Sequence, residues 1–207
     1  MFNSSYVGSE AMKNIRLIMT FVMALTVQEA SAVAYCAVRD PVSAIQQFFP
    51  DYTSYEAVDG AVDMSVRDLI TEKLPNVHFS EFGTHTLYVV FKDSELLGYV
   101  HARTEKGDWG LDELIWALSP SLSIKDFRYQ RSRSMARAWV ESDAFVDQIR
   151  NLDVDGLVAL LNAERDDFRE PLPGMALSAR DTSLNAVRSA IKTILITDHV
   201  WPIDSAE

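Results

Sequence analysis

Five of the chain's 19 lysines and arginines fall within 13 positions: Lys125, Arg128, Arg131, Arg133 and Arg137. Ser132 and Ser134 stand among them. Guanidinium forks take phosphate or carboxylate oxygens in pairs and serine hydroxyls donate alongside, so this run has the composition of an anion holder. A second anion site is expected where a long amphipathic helix begins at residue 182, because a helix start exposes backbone amides and the positive end of the dipole. Asp181 stands at the expected cap, with Thr182 and Ser183 behind it. One carboxylate cannot both cap those amides and leave room for a phosphate. Trp109, in a loop flanked by Gly107 and Gly110, offers a flat surface for a planar ligand, whereas Trp116, on an alternating strand, is assigned to the core. The competing reading of the arginine run is a solvated loop whose cations pair with Asp126, Glu141 and Asp143.

Other chemistries find little support. His78, His85, His101 and His199 show no metal-ligand spacing, so no metal site is expected, although His85 and His101 lie on strands and can be neighbours. The sequence has no Gly-x-Ser-x-Gly, no P-loop and no Gly-x-Gly-x-x-Gly. A single cysteine, Cys36, excludes an intrachain disulfide. A net charge of −11 over 207 residues repels polyanions, so nucleic acid is not an expected partner.

These residues must be positioned by an α+β domain. Asp40-Pro41 followed by Val42, Ile45, Phe48 and Phe49 predicts a short capped helix stopped by Pro50. Residues 65–74 repeat the design, with Ser65 as cap and Pro75 as stop. The period then changes. Residues 84–92, 96–104, 111–118 and 123–129 predict four strands of an antiparallel meander, with residues 105–110 as a glycine-containing loop. Helices are expected again over 142–150, 154–161 and 182–200, the last with Leu184, Val187, Ile191, Ile194 and Leu195 on one stripe. An antiparallel β-meander packed with flanking N- and C-terminal helices is the expected fold.

Residues 12–32 have three parts in order: Lys13 and Arg16, an apolar stretch over 17–27, and Ala30-Ser31-Ala32. That order predicts a removable signal peptide over 1–32, with Met12 as the start and residues 33–207 as the mature domain, periplasmic or secreted. The apolar stretch is too short to span a bilayer, which takes about 20 residues, so no transmembrane span is expected after cleavage.

From Leu87 to Val187 the chain resembles the FMN-binding domain of the flavin-carrying subunits of the sodium-translocating NADH:quinone reductase and the Rnf complex. The resemblance rests on Tyr88-Val89-Val90-Phe91, Leu97-Gly98-Tyr99-Val100, the Lys106-Gly107-Asp108-Trp109-Gly110 turn, Ile115-Trp116-Ala117-Leu118, and Ser178 to Val187, ending Asn185-Ala186-Val187, where the family has Ser-Gly-Ala-Thr-x-Thr-Ser-Asn-Ala-Val. It implies an FMN site formed by Trp109, the segment Arg131-Ser132-Arg133-Ser134, and Asp181, Thr182 and Ser183, serving electron transfer with a redox partner at the membrane or in the periplasm. The family bonds FMN to a threonine where this chain has Asp181, which cannot form that phosphoester. Non-covalent FMN is the first expectation. The alternative is a flavin-free binding or assembly module that keeps only the scaffold.

Overall fold

The computed structural model describes residues 38–75 and 83–201. The signal segment, Cys36 and His78 lie outside the described residues. Asp40 accepts the Ser43 amide proton at 3.1 Å and Pro41 occupies the first turn, which fixes helix α1, Pro41–Phe48. Strand β1, Ser54–Ala61, follows, then helix α2, Met64–Lys73. Strands β2 (Thr84–Lys92), β3 (Glu95–Gly107), β4 (Gly110–Leu118) and β5 (Ile124–Arg131) complete a five-stranded antiparallel sheet in the order β1-β2-β3-β4-β5. Three short helices come next: α3 (Arg137–Val140), α4 (Asp143–Ile149) and α5 (Val154–Ala159). A 3₁₀ turn, Leu177–Ala179, leads into the long helix α6, Arg180–Val200.

The sheet buries both faces. On one, Ile45 and Phe48 of α1 pack with Tyr88, Val90, Val100, Ile115 and Ala117. On the other, Leu87, Leu114, Trp116 and Phe127 meet Phe145 of α4 and Ile191 and Ile196 of α6. Side chains alternate across a strand, so β3 sends Val100 and Ala102 to the α1 side and Tyr99, His101, Arg103 and Glu105 toward α6. Trp116 is fully buried, as expected of a core residue, and stacks on Phe127 with ring centroids 4.5 Å apart.

Several local features differ from the sequence expectation, among them the short helix α3, which was not expected. Strand β1 was not expected. Its side chains are mostly exposed and it is held by backbone pairing to β2, from Ser54 opposite Phe91 to Ala61 opposite Thr84. The cap of α2 is Asp63, not Ser65, because the Asp63 carboxylate takes the amide protons of Ser65 (2.9 Å) and Val66 (3.1 Å). Residues 105–107 continue β3, since pairing runs to Gly107 opposite Gly110 and leaves only Asp108 and Trp109 as the hairpin tip. Helix α6 begins two residues before Thr182, because the 3₁₀ turn runs into it without a side-chain cap.

Gly98 fixes the start of the meander. It holds φ at 144°, and a Cβ there would press into the carbonyl oxygen of Leu118 and against the Phe49 ring. Gly98→Ala is expected to cost about 1–3 kcal/mol, read as a lower midpoint in urea unfolding. An unchanged midpoint would show that the β2–β3 register shift absorbs the methyl group. Among the described residues, no helix is long and apolar enough to cross a membrane.

Candidate functional site

The fold brings the hairpin tip, the Arg131–Ser134 segment and the start of α6 to one end of the sheet. Ser134 Oγ and Thr182 Oγ1 share a hydrogen bond of 2.8 Å, and Asn185 donates to the Lys106 carbonyl at 3.2 Å. Between the tip and the helix lies a cleft of about 240 Å³, with Lys106, Asp108, Asp112, Asp181, Thr182 and Arg188 in its walls. Trp109 is not in those walls; it is 64% exposed at the hairpin tip.

The expected anion holders are committed elsewhere. Arg131 pairs with Glu113 at 3.0 Å, a carboxylate that also holds Arg39 at 2.9 Å. Arg137 pairs with Glu141 at 2.8 Å. Ser132 Oγ accepts the Ser134 amide proton at 3.1 Å. Arg133 is exposed. Ser183 is buried completely, and Thr182 is buried against Ser134, so neither hydroxyl stands open to a ligand. Asp181 corrects the expectation in position: it is the second residue of α6, exposed, and the residue at the cap is Ala179. It leaves the helix amides uncapped but sets its charge beside Asp108 and Asp112 in the cleft.

These residues do not fit an FMN phosphate. Sites for whole small-molecule ligands run to about 300–1,000 Å³, so this cleft is too small for the flavin ring as well, and its charge is what opposes the phosphate. Three aspartates face one lysine and Arg188, and Arg188 already donates to the carbonyls of Arg165 and Pro75. A phosphate brought there meets net repulsion.

Beneath α6 the structure hides a polar seam that composition did not reveal. His85 Nδ1 lies 3.0 Å from His101 Nε2, and His101 Nδ1 lies 2.9 Å from Thr197 Oγ1. The Trp201 ring stands edge-on to His101 with centroids 5.5 Å apart. Both histidines are fully buried. Burial, with the charge of Arg103 nearby, pushes His85 down to about 3, and His101 is held well below its ordinary value by burial, by His85 and by Arg103. Both imidazoles are neutral at physiological pH. One turn along, Arg103 Nε donates to Glu105 Oε1 at 3.0 Å and Lys192 Nζ donates to Glu105 Oε2. Burial pushes the Glu105 carboxyl up, but Lys192 and Arg103 outweigh it and hold it at about 2. The seam continues with Trp116, whose indole N–H donates to Ser189 at 3.1 Å.

A larger cleft, of about 660 Å³, runs along the outer edge of β5, the one not paired with β4. One wall is α1, with Ser43 and Gln47; the other carries Arg137, Glu141 and Val146. Its floor is the strand edge from Asp126 to Gln130. Here side chains stand in for a missing strand. Glu141 accepts the Tyr129 amide proton at 2.7 Å, while Arg137 donates to the Tyr129 carbonyl at 2.9 Å. The phenol of Tyr129 is raised well above its usual value, first by burial and then by the charges of Asp112 and Glu141. The sequence signal for this cleft was the arginine run itself, whose Arg128 and Arg137 belong here and not at the helix start.

The chain is thus an α+β protein of one antiparallel meander clasped by helices, with a polar cleft on its last strand. No protein-family model matches it, and neither does any curated protein. Among the described residues no group of three or more histidines, cysteines or carboxylates is arranged to hold a metal ion.

Proposed function

We propose that this domain is a flavin-free binding module whose ligand surface is the cleft along β5. The observation that carries the reading is the contrast between the clefts. The one between the hairpin tip and α6 is small, lined by three aspartates and short of open hydroxyls, and a further cleft of about 390 Å³ beside Phe168, Met175 and Leu177 offers Arg180 as its one charged wall. The one at β5 is about 660 Å³, inside the range of ligand sites, and its floor is strand backbone capped only by side chains. The tripartite order of residues 12–32 supports a location outside the cytoplasm.

The test is a titration of the purified protein with FMN, following flavin fluorescence and the visible spectrum. The expected result is a colourless protein and no saturable change. Saturable binding, weakened by Arg131→Ala together with Arg133→Ala, would restore the flavin site and overturn the proposal.

A further inference from the structure

The outer edge of β5 is closed piece by piece, and each piece uses a different device. At Ile124 it is main chain: the Ile124 amide donates to the Leu152 carbonyl at 2.9 Å, and the Asn151 amide donates to the Ile124 carbonyl at 2.7 Å. At Phe127 the amide turns to the carboxylate of its own neighbour, Asp126, at 2.7 Å. At Tyr129 both backbone groups are taken by the Arg137–Glu141 ion pair. An edge strand needs such protection, because outward N–H and C=O groups are a template for another chain. Main-chain pairing at Ile124 is built into the fold. A half-exposed side-chain pair at Tyr129 is not, since it can swing aside without unfolding anything.

We infer that the cleft receives an extended acidic peptide that adds to the sheet as a sixth strand beside Phe127 and Tyr129, with Arg137 and Glu141 as its displaceable guard. This rests on the binding-module reading above and names the partner of that same cleft. The incoming strand replaces like with like: its carbonyl takes the Tyr129 N–H from Glu141, and its amide takes the Tyr129 carbonyl from Arg137. Residues 127 and 129 face outward together because alternate residues share an edge.

The preference for an acidic side chain rests on Arg128 alone, since the cleft as a whole carries Arg39, Arg128 and Arg137 against Asp40, Asp126, Glu141 and Asp143. Arg128 projects to the α1 side, where its guanidinium donates to the neutral amide of Gln47 and lies 5.9 Å from the Phe48 ring centre. Among the described residues no carboxylate lies within ion-pairing distance of Arg128, in contrast to Arg39 and Arg137. An aspartate or glutamate on the α1-facing side of the added strand supplies that missing partner. Asp126 does not, because its carboxylate is turned to the Phe127 amide.

The experiment uses the whole soluble domain, labelled with ¹⁵N, and a blocked pentapeptide, acetyl-Thr-Val-Glu-Val-Thr-amide. Saturable shifts are expected at the Phe127 and Tyr129 amides. Arg128→Gln should weaken binding about tenfold, as loss of one charge-assisted hydrogen bond. Glu141→Ala, with the guard removed, should bind more tightly than the wild type. Methylating the peptide nitrogens that face β5 should abolish binding. No saturable shift at these two amides in either the wild type or Glu141→Ala overturns the inference, as does equal binding of the methylated peptide. FMN is added to the same sample. Flavin binding would sink the module reading itself, whereas no flavin binding and no peptide binding would sink only this inference.

Discussion

Lys192→Ala is expected to lower the unfolding free energy by about 3–5 kcal/mol, the usual cost of stripping one partner from a buried ion pair. Glu105 is 2% exposed and has no route to water, so its carboxylate is left to Arg103 alone. In a domain of this size that loss lowers the melting temperature by about 10 °C or more, measurable by calorimetry. The comparison variant is the triple substitution Arg103→Met, Glu105→Leu, Lys192→Met. It removes every charge of the cluster and keeps its volume, so it is expected to melt near or above the wild type. The pair of results separates two roles. If the single variant is badly destabilised and the triple is not, the seam sets the register of α6 on the sheet and adds little stability. If the triple is as damaged as the single, the cluster is a net source of stability.

The register argument comes from α6 itself. Between Ser189 and Thr197 every residue of the helix is buried, so apolar packing alone does not fix its rotation. Lys192 does, because only one rotation and one slide bring its ammonium to Glu105 while Ser189 meets Trp116 and Thr197 meets His101. Three polar contacts spread over nine residues pin a helix that a greasy interface would leave free to slip.

The sequence carried the framework where side chains and strand pairing agree. Helix α1 was legible because cap, proline and apolar spacing coincide at residues 40–48, and β2 to β5 because β-branched and aromatic residues alternate there. Strand β1 was hidden because its stability comes from backbone pairing, and an edge strand with mostly exposed side chains carries no apolar alternation. The arginine run was visible but its meaning was not. Arg131 lies opposite Glu113 across the β4–β5 pair, and that neutralising partner, 18 positions away, exists only once the register is known. The buried seam had a signal of its own. His101, Arg103 and Glu105 share a strand face with Tyr99, and Lys192 interrupts the apolar stripe of α6. Two charged rows of that kind on elements that must both be buried point to each other. Asp181 misled because a carboxylate before Thr-Ser reads as a cap, while the chain reached helical geometry earlier, through Leu177–Ala179.

Acid is expected to unfold this protein well above the pH at which its surface carboxylates titrate. His85 and His101 are neutral in the fold, with His85 held at about 3 and His101 pushed well down, whereas in the unfolded chain both return to about 6.5. The unfolded state therefore takes up two protons that the folded state refuses, and stability falls as pH drops below 6.5. Each histidine contributes a slope of about 1.4 kcal/mol per pH unit. By pH 5 the two together remove about 4 kcal/mol, a large share of the stability of an ordinary domain. Glu105 adds to the same trend lower down. Its contribution is complete above the ordinary carboxyl value, and it is lost as pH falls from there toward about 2. The charges facing the two imidazoles strengthen the effect, since Arg103 repels a second cation more than Glu105, already held by Lys192, attracts one. Urea unfolding at a series of pH values between 7 and 4.5 measures the slope directly. Two protons are expected for the wild type and one for His85→Leu, in which Leu fills the space beside the His101 ring and His101 keeps Thr197. A wild-type stability that stays flat from pH 7 to pH 5 would mean that water reaches the imidazoles and that α6 does not seal the seam.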